Sequence, residues 1–129
     1  MSGPFKGIRV LELTSTVSGP FAGMMLADQG AEVIKVEPPG LGDLARFMGT
    51  IKDGMGAMFS TLNRNKKCIC LDFKNDEDLA VLKKLVSTTD VIIENYRPGI
   101  VKKLGIDYET LAKINPDLIY CSISGYGQS

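Results

Sequence analysis

Short strand-like runs alternate with helical runs along the chain, and this alternation constrains the fold more than any other feature of the sequence. Five apolar runs have the length and the β-branched content of buried strands. They are Gly7–Leu13, Glu32–Glu37, Lys67–Phe73, Asp90–Asn95 and Leu118–Ser124. Because helical segments separate most of these runs, crossover connections join neighbouring strands, and such connections require parallel strands. The sequence therefore predicts an α/β fold, a doubly wound and mostly parallel sheet with helices on both faces.

Residues that favour helix ends mark the boundaries of the predicted helices. Pro20 suits the first position of the first helix, which we expect to end near Asp28, with Gly30 in a left-handed conformation. Asn75 and Asp107 are placed to cap later helices with their side-chain oxygens. The first two strands and the helix between them thus form a βαβ unit.

One segment, from Pro38 to about Ala57, breaks the alternation. It contains Pro-Pro-Gly and further glycines, and its hydrophobic residues follow no steady period. We interpret it as a long loop with a short helical turn near Leu44. A connection of this length within a compact domain is more often functional than idle.

Composition and charge exclude several classes of protein. The 129 residues correspond to one domain, and 15 basic side chains balance 15 acidic ones, so we expect neither a nucleic acid nor a membrane as partner. No apolar run reaches the roughly 20 residues of a membrane helix, and the start of the chain lacks the pattern of a signal peptide. An odd number of cysteines, 3, disfavours a disulfide framework and favours a reducing, cytoplasmic location.

The chain has no histidine, which excludes Ser-His-Asp and Cys-His catalysis and His-ligated metal sites from these residues. Cys68 and Cys70 share one face of a strand, but two thiols without further ligands do not make a metal site, so we predict no metal. We interpret both, and Cys121, as small buried hydrophobic residues, and the methionines, including Met24 and Met25, as core residues. No nucleophile is paired with a base, and we assign no catalytic residue.

The loop between the first strand and the first helix is rich in hydroxyl groups. In nucleotide-binding α/β folds this turn holds phosphate at a helix N-terminus. The G-x-G-x-x-G and Walker fingerprints are absent, so binding of NAD or ATP by those routes is not expected. Two interpretations remain: a plain turn in which Ser18 caps the helix, or a ligand contact through Thr14, Ser15, Thr16 and Ser18.

Basic residues cluster around the third and fourth predicted strands. Arg64, Lys66, Lys67 and Lys74 flank the third strand, and Arg97, Lys102 and Lys103 follow the fourth. Lys74 and Arg97 come just after carboxyl ends of strands, which meet at the edge of a parallel sheet where ligands bind. Together they can hold a ligand with several phosphates. For any single lysine the alternative is ordinary solvated charge.

Several blocks of the sequence together resemble the family III CoA-transferases, a group that includes formyl-CoA and carnitine CoA-transferases and the α-methylacyl-CoA racemases. The matching blocks include GIRVLELT at 7–14, GAEVIKVE at 30–37, NRNKK at 63–67, ENYRPG at 94–99 and GYGQ at 125–128. The resemblance covers essentially the whole chain, and the NRNKK and ENYRPG blocks in this order make it specific.

The resemblance implies that residues 1–129 are the N-terminal part of a Rossmann-like large domain that binds coenzyme A. The CoA contacts that it implies are Val17, Ser18, Leu71, Asp72, Phe73, Lys74, Asn95, Tyr96, Arg97 and Lys103. It further implies acyl-CoA and carboxylic acid substrates and a homodimer of two interlocked, ring-like subunits. Many relatives have arginine where this chain has Pro38, so one nucleotide contact is either missing or supplied by Arg46. Lys103 replaces a frequent arginine and keeps its charge without the fork geometry.

The resemblance also implies that the catalytic step of the family lies outside this chain. Transferases of the group use an aspartate that attacks the acyl-CoA and passes through a mixed anhydride and an aspartyl-CoA thioester. Racemases use a His and Asp pair as acid and base, and both sites would fall beyond Ser129. Residues 1–129 alone are therefore expected to be inactive. The long stretch from Gly42 to Leu62 favours the transferase, with the racemase and a non-catalytic CoA-binding fragment as alternatives.

Overall fold

The architecture comes from a computed structural model, which describes residues 2–129. In chain order its strands and helices are β1 Arg9–Leu13, α1 Ser18–Asp28, β2 Glu32–Glu37, a 3₁₀ helix Leu44–Phe47, β3 Ile51–Lys52, β4 Met55–Gly56, α2 Ala57–Leu62, β5 Lys66–Cys70, α3 Asp76–Val86, β6 Val91–Glu94, α4 Ile100–Leu104, α5 Tyr108–Ala112 and β7 Ile119–Ser122. Five strands form one sheet in the order β5-β2-β1-β6-β7, and every pair in it is parallel. The predicted α/β fold with a doubly wound parallel sheet is confirmed.

The strand order reverses direction next to β1. From β1 the chain builds outward through β2 to β5, and it then crosses back to add β6 and β7 on the other side. In open parallel sheets this reversal opens a crevice beyond the carboxyl ends of the two strands that flank it. Those strands are β1 and β6, which pair from Val10↔Val91 to Leu13↔Glu94.

The alternation of side chains along each strand divides the core between the two faces of the sheet. On one face, Leu11, Leu13 and Ile92 pack in a cluster with Leu82 of α3 and Leu111 of α5. On the other face, α1 covers a smaller cluster. Its buried members are Val10, Ala27, Ala31, Val33 and Ile93. The α1 face is also the one on which Glu12 and Lys35 are buried, so part of its core is made of charges.

The helix ends follow the sequence signals in most places. Asn75 accepts hydrogen bonds from the N–H groups of Glu77 and Asp78, and Asp107 accepts one from Thr110 N–H, as predicted for caps. Gly30 has a φ of 102° and follows the end of α1. The expectation that Ser18 caps α1 is wrong, because the helix begins at Ser18 and the preceding residue makes no side-chain cap.

Two boundaries in the middle of the chain differ from those predicted. The strand predicted to reach Phe73 ends at Cys70, which pairs with Glu37, the last residue of β2. Pro38 and Pro39 follow Glu37 and have no N–H to extend the ladder. The expected long loop contains the predicted turn as the 3₁₀ helix, but also the β3–β4 hairpin, and α2 follows it without having been predicted.

The prediction that the three cysteines are buried is wrong, since Cys68, Cys70 and Cys121 are all exposed. They lie on β5 and β7, the two outer strands, which have a neighbouring strand on one side and little covering structure. Met24 is buried as expected, but Met25 is 47% exposed because it lies on the outer face of α1.

Two glycines allow α1 to lie directly on the end of β1. A Cβ at Gly19 would overlap the side chain of Thr14, and a Cβ at Gly23 would overlap Oε2 of the buried Glu12. The space that a methyl group would fill above the sheet is therefore occupied by the side chains of Glu12, in β1, and Thr14, just after it.

We expect Gly23→Ala to lower the free energy of unfolding by about 1–3 kcal/mol, because the methyl group displaces a buried carboxylate from its partners. The direction of this change tests the packing, since a Gly to Ala substitution inside a helix ordinarily raises the free energy of unfolding by up to about 1 kcal/mol. Urea denaturation followed by circular dichroism measures the change. Gly125→Ala is the matched control: its Cβ would meet open space, and its stability should stay at the wild-type value. A Gly23→Ala variant more stable than wild type would contradict this packing.

Candidate functional site at the carboxyl edge of the sheet

The loops that follow β1 and β6 are joined by one asparagine. Asn95 Oδ1 accepts a hydrogen bond from Ser15 N–H at 3.0 Å, and its Nδ2 donates to Ser15 O at 2.8 Å. The amide therefore satisfies both backbone groups of a single residue in the β1–α1 loop, residues 14–17. This paired contact closes the crevice at the strand-order reversal and separates two clefts.

The two clefts both include Asn95 and Tyr96 in their walls. The first, the β6–β7 cleft, has a volume of about 530 Å³ and opens toward the end of the described chain. Its further lining includes Ser18, Arg97, Pro98, Ser124 and Tyr126. The second, the β1–β2 cleft, has a volume of about 380 Å³ and is lined by Leu13, Pro38, Leu41 and Leu44, among others. Both lie at the carboxyl edge, where doubly wound sheets bind ligands.

Beneath the β1–β2 cleft, a fully buried lysine joins the two central strands to the long segment after β2. Lys35 Nζ lies 3.0 Å from Glu12 Oε1 and 2.8 Å from Asp43 Oδ2, and these three side chains are at most 1% exposed. Lys35 also donates to Thr14 O at 3.0 Å. We call Glu12, Lys35, Asp43 and Lys66 the Lys35 network.

The fourth member of the network connects the outer strand β5. Lys66 Nζ lies 2.6 Å from Glu12 Oε2 and donates to Pro20 O at 2.8 Å and to Asn63 Oδ1 at 2.9 Å. Burial lowers the pKa of Lys66, and the Glu12 carboxylate opposes that shift. A single carboxylate on β1 thus pairs with lysines from both β2 and β5, which lie side by side.

A second ion pair fastens the long segment at the end of β2. Arg46 donates from Nε to Glu37 Oε2 and from Nη2 to Glu37 Oε1, both at 2.7 Å, and its guanidinium lies 3.8 Å from the ring centroid of Phe59. Burial would raise the pKa of Glu37, but Arg46 and the Asp43 N–H hold it below its ordinary value. The expectation that Arg46 supplies a nucleotide contact has little geometric support, because this fork already binds a carboxylate.

Asp43 connects this segment to the β1–α1 loop. Its Oδ1 accepts hydrogen bonds from Thr16 N–H and Ala45 N–H, each at 2.9 Å, while Oδ2 faces Lys35. Burial would raise the pKa of Asp43, and these three donors lower it. The sequence analysis missed Asp43 and Lys35, although an acidic residue that opens a 3₁₀ turn and a lysine inside an apolar strand are visible in the sequence.

The clusters of basic residues separate into structural and free cations. Arg64 forms an ion pair with Asp28, Lys67 with Glu32, and Lys66 with the buried Glu12. These three residues lie before or at the start of β5, at the opposite edge from the clefts. Their charges are therefore compensated away from the carboxyl edge, where the sequence predicts phosphate binding by Lys74 and Arg97. The NRNKK block at 63–67 instead forms ion pairs with α1, β1 and β2, and so has a structural role.

Three of the predicted cations follow residues of one core cluster. Lys74, Arg97 and Lys103 are all exposed. Their chain neighbours Phe73, Tyr96 and Leu104 pack against the same hydrophobic cluster, the one under α3 and α5. Arg97 lines the β6–β7 cleft. Lys74 and Arg97 follow the carboxyl ends of β5 and β6, and Lys103 lies in α4.

The remaining predicted contacts occupy mixed environments. Leu71 is a buried member of the core cluster, and Phe73 packs against it. Asp72 Oδ1 accepts a hydrogen bond from Lys74 N–H at 3.0 Å, which shapes the turn after β5. Val17 and Ser18 are exposed at the start of α1.

Tyr96 forms the shared wall of the two clefts. Its N–H donates to Oε2 of the buried Glu94 at 2.9 Å. Burial, with the nearby Glu94 charge, raises the pKa of the Tyr96 phenol. The ring therefore presents a neutral hydroxyl and an apolar face at ordinary pH.

Residues 2–129 form neither a membrane-spanning helix nor a metal-binding cluster. No helix in this range combines the length and the apolar character that crossing a bilayer requires. The same residues contain no group of three or more Cys, Asp or Glu side chains arranged to hold a metal ion.

Comparison with known proteins identifies the family. The family model described as CoA-transferase family III matches residues 5–129. The chain belongs to this family. Among curated proteins, it is 47% identical over 127 residues to an acetyl-CoA:oxalate CoA-transferase of Acetobacter aceti and 46% identical over 127 residues to a succinyl-CoA:glutarate CoA-transferase of Mus musculus. Each match covers 98% of this chain, but 33% and 29% of those proteins, so the chain spans about a third of their length.

Solved structures of the family agree with the fold. A CaiB/BaiF family protein from Brucella suis superposes with a TM-score of 0.93 at 42% identity, covering 100% of this chain and 35% of that one. A protein from Mycobacterium tuberculosis superposes with a TM-score of 0.90 at 41% identity, covering 98% and 35%. The CoA-transferase fold of this segment therefore matches experimentally determined relatives.

We expect the free energy of unfolding to fall as the pH drops below about 4.5, the ordinary pKa of a glutamate, because Glu37 and Asp43 have lowered pKa values in the fold. Such a carboxyl stabilises the fold fully above its unfolded-state pKa and loses that contribution as the pH falls through its folded-state pKa. Urea denaturation between about pH 7 and about pH 3 measures the slope.

In Glu37→Gln the free energy of unfolding should depend less steeply on pH, since one of the carboxyls with a lowered pKa no longer titrates. Asp53→Asn, in the exposed turn between β3 and β4, is the control and should keep the wild-type slope. A slope that Glu37→Gln leaves unchanged would show that this carboxylate does not contribute to acid unfolding.

Proposed function

We propose that this chain binds the coenzyme A part of an acyl-CoA substrate at the carboxyl edge of its sheet. As part of a protein of the relatives' length, it would take part in moving CoA between an acyl-CoA donor and a carboxylic acid acceptor. Membership in CoA-transferase family III and the names of the relatives, which pair acetyl-CoA with oxalate and succinyl-CoA with glutarate, support the reaction class.

The observation that carries the proposal is the position of Arg97 in the wall of the β6–β7 cleft at the carboxyl edge. Two more exposed cations, Lys74 and Lys103, lie in the segments that follow β5 and β6. Coenzyme A carries a 3′-phosphate and a diphosphate, and several cations at one edge suit such an anion. In the proposal, Lys74 and Lys103 act as point charges, whereas Arg97 offers a planar fork that can bind two phosphate oxygens at once.

The uncharged contacts complete the proposed site. The Tyr96 ring and the Asn95 amide form the wall between the clefts, against which an adenine ring or the pantetheine chain can lie. Ser18 lines the β6–β7 cleft at the start of α1, next to the exposed Val17, and the turn of residues 71–73 supports Lys74. No metal takes part in this proposal.

The chemical step is proposed to lie in the part of the relatives that this chain does not span. There an aspartate would attack the acyl-CoA and pass through a mixed anhydride and an aspartyl-CoA thioester. This chain would contribute the binding energy that holds the CoA nucleotide while the thioester reacts elsewhere. A homodimer belongs to the same proposal, and the exposed apolar residues Phe21 and Met25 of α1 offer surface for further protein to cover.

We expect CoA to stabilise the 129-residue chain, by about 2.7 kcal/mol at 100 times its Kd, because it binds the folded state alone. Isothermal titration calorimetry and thermal unfolding measure the affinity. Arg97→Ala and Lys74→Ala should each weaken binding by about tenfold, since each removes a charge-assisted contact to phosphate. Dephospho-CoA should bind more weakly than CoA to the wild type.

Lys84→Ala is the matched control. Lys84 lies in the last turn of α3, which runs back toward the amino edge of the sheet, and this variant should bind CoA with wild-type affinity. Binding that survives both Arg97→Ala and Lys74→Ala, or no binding by wild type, would contradict the proposed site.

The chain alone should not exchange acyl groups, because the proposed catalytic aspartate is not among its residues. An assay of CoA transfer from succinyl-CoA or acetyl-CoA to oxalate or glutarate, followed by chromatography of the CoA esters, tests this. Turnover by the 129-residue chain would show that the reacting carboxylate lies within it.

A further inference from the structure

Thr16 adopts a conformation that its side chain disfavours. Its φ is 71°, in the left-handed region that β-branched residues rarely enter. Residues persist there when their surroundings impose the conformation, and such residues are concentrated at functional sites. Thr16 lies in the β1–α1 loop, directly before Val17 and Ser18, two residues of the proposed CoA site.

The surroundings that impose this conformation belong to the Lys35 network. Asp43 Oδ1 accepts the hydrogen bond of Thr16 N–H at 2.9 Å. Lys35 Nζ lies 2.8 Å from the other oxygen of Asp43 and donates to Thr14 O at 3.0 Å. One buried lysine–aspartate pair therefore holds the backbone on both sides of the loop, at Thr14 and at Thr16.

The other contacts of the loop bind the neighbours of Thr16 and not Thr16 itself. Asn95 binds the N–H and the carbonyl of Ser15, and Val17 O accepts the first hydrogen bond of α1 from Phe21 N–H. Ser15 and Val17 are thus fixed by the β6 loop and by the helix, and the Thr16 N–H depends on Asp43. Without that acceptor, the strained residue is free to return to a negative φ, which would redirect Val17 and Ser18.

We propose that Lys35 and Asp43 are positioning residues, which hold the β1–α1 loop in its left-handed conformation so that Val17 and Ser18 face CoA. The expected effect on CoA affinity rests on the function proposed above, whereas the expected effect on the loop conformation does not. The inference gives the long connection after β2 a role: it brings Asp43, whose side chain is 1% exposed, under the loop after β1.

The test uses Asp43→Asn in the 129-residue chain. An asparagine amide has one oxygen. If that oxygen accepts from the Thr16 and Ala45 N–H groups, the amide NH2 faces the Lys35 ammonium; if it faces Lys35, both N–H groups lose their acceptor. Either orientation weakens the hold on the loop. We expect amide hydrogen exchange at Thr16, Val17 and Ser18, followed by NMR, to become at least tenfold faster. We also expect the Kd for CoA to rise about tenfold or more.

Asp28→Asn is the matched control, since it breaks the ion pair with Arg64 at the far end of α1. It should change neither loop exchange nor the Kd for CoA by more than about twofold. A purely structural role of Asp43 would loosen the whole sheet, whereas positioning predicts faster exchange in the loop at unchanged protection of β1 and β6.

Thr16→Gly provides the rescue. Glycine enters the left-handed region without strain, so it no longer depends on Asp43 to stay there. The double variant Asp43→Asn/Thr16→Gly should recover several-fold of the CoA affinity that Asp43→Asn loses. If Asp43→Asn does not fold, Thr16→Pro serves instead, because proline fixes φ near −65° and removes the N–H without touching the buried charges. It should weaken CoA binding at least tenfold.

The outcomes separate the two proposals. Unchanged loop exchange in a folded Asp43→Asn variant, or unchanged CoA affinity in both Asp43→Asn and Thr16→Pro, would overturn the positioning role. A wild-type chain that does not bind CoA, combined with faster loop exchange in Asp43→Asn, would overturn the proposed function and support the hold on the loop.

Discussion

The ion pairs around Lys35 and Glu12 are the interaction on which the rest of this structure depends. Parallel sheets usually fill both faces with aliphatic side chains. Here the carboxyl end of the α1 face is filled instead by a carboxylate that pairs with two lysines, one from each of the next two strands. Removing one partner of such a buried pair leaves an uncompensated charge, which costs about 3–5 kcal/mol. The charges therefore specify which strands meet, and at which register, more sharply than interchangeable aliphatic residues would.

The same charges connect the scaffold to the site. Glu12 lies under Gly23 and so sets the height of α1 above the sheet, while Asp43 joins the segment after β2 to the loop after β1. The Asn95 amide then ties that loop to the end of β6. The segments that follow β1, β2 and β6 are thus held by side chains that point away from solvent. The outer surfaces of these segments remain available for a ligand.

The sequence predicted the elements of the fold well and their long-range contacts poorly. The five strands of the main sheet, the caps Asn75 and Asp107 and the turn near Leu44 depend on neighbouring residues, and local patterns identify them. The helix α2 is only six residues long and lies between glycines and polar residues, so its periodicity is too short to recognise. The edge position of Cys68 and Cys70 depends on strand order, which local patterns do not contain.

Sites were predictable to the extent that strand ends determine them. Lys74 and Arg97 follow the carboxyl ends of β5 and β6, as the order of the elements in the sequence predicts, and both are exposed. Arg64 and Lys67 have the same charge, but their acidic partners lie 36 and 35 residues away in the chain, so sequence alone did not distinguish paired from free cations. The strain at Thr16 likewise comes from contacts with a distant segment.

The shared carboxylate of Glu12 also has an evolutionary consequence. Its two oxygens bind two different lysines, so no single replacement among these positions keeps every charge compensated. A lineage that exchanges this cluster for an apolar core must pass through a destabilised intermediate or alter several codons together. Residues 12, 35 and 66 should consequently covary as a set, and ancestral reconstruction offers a route to observe that epistasis.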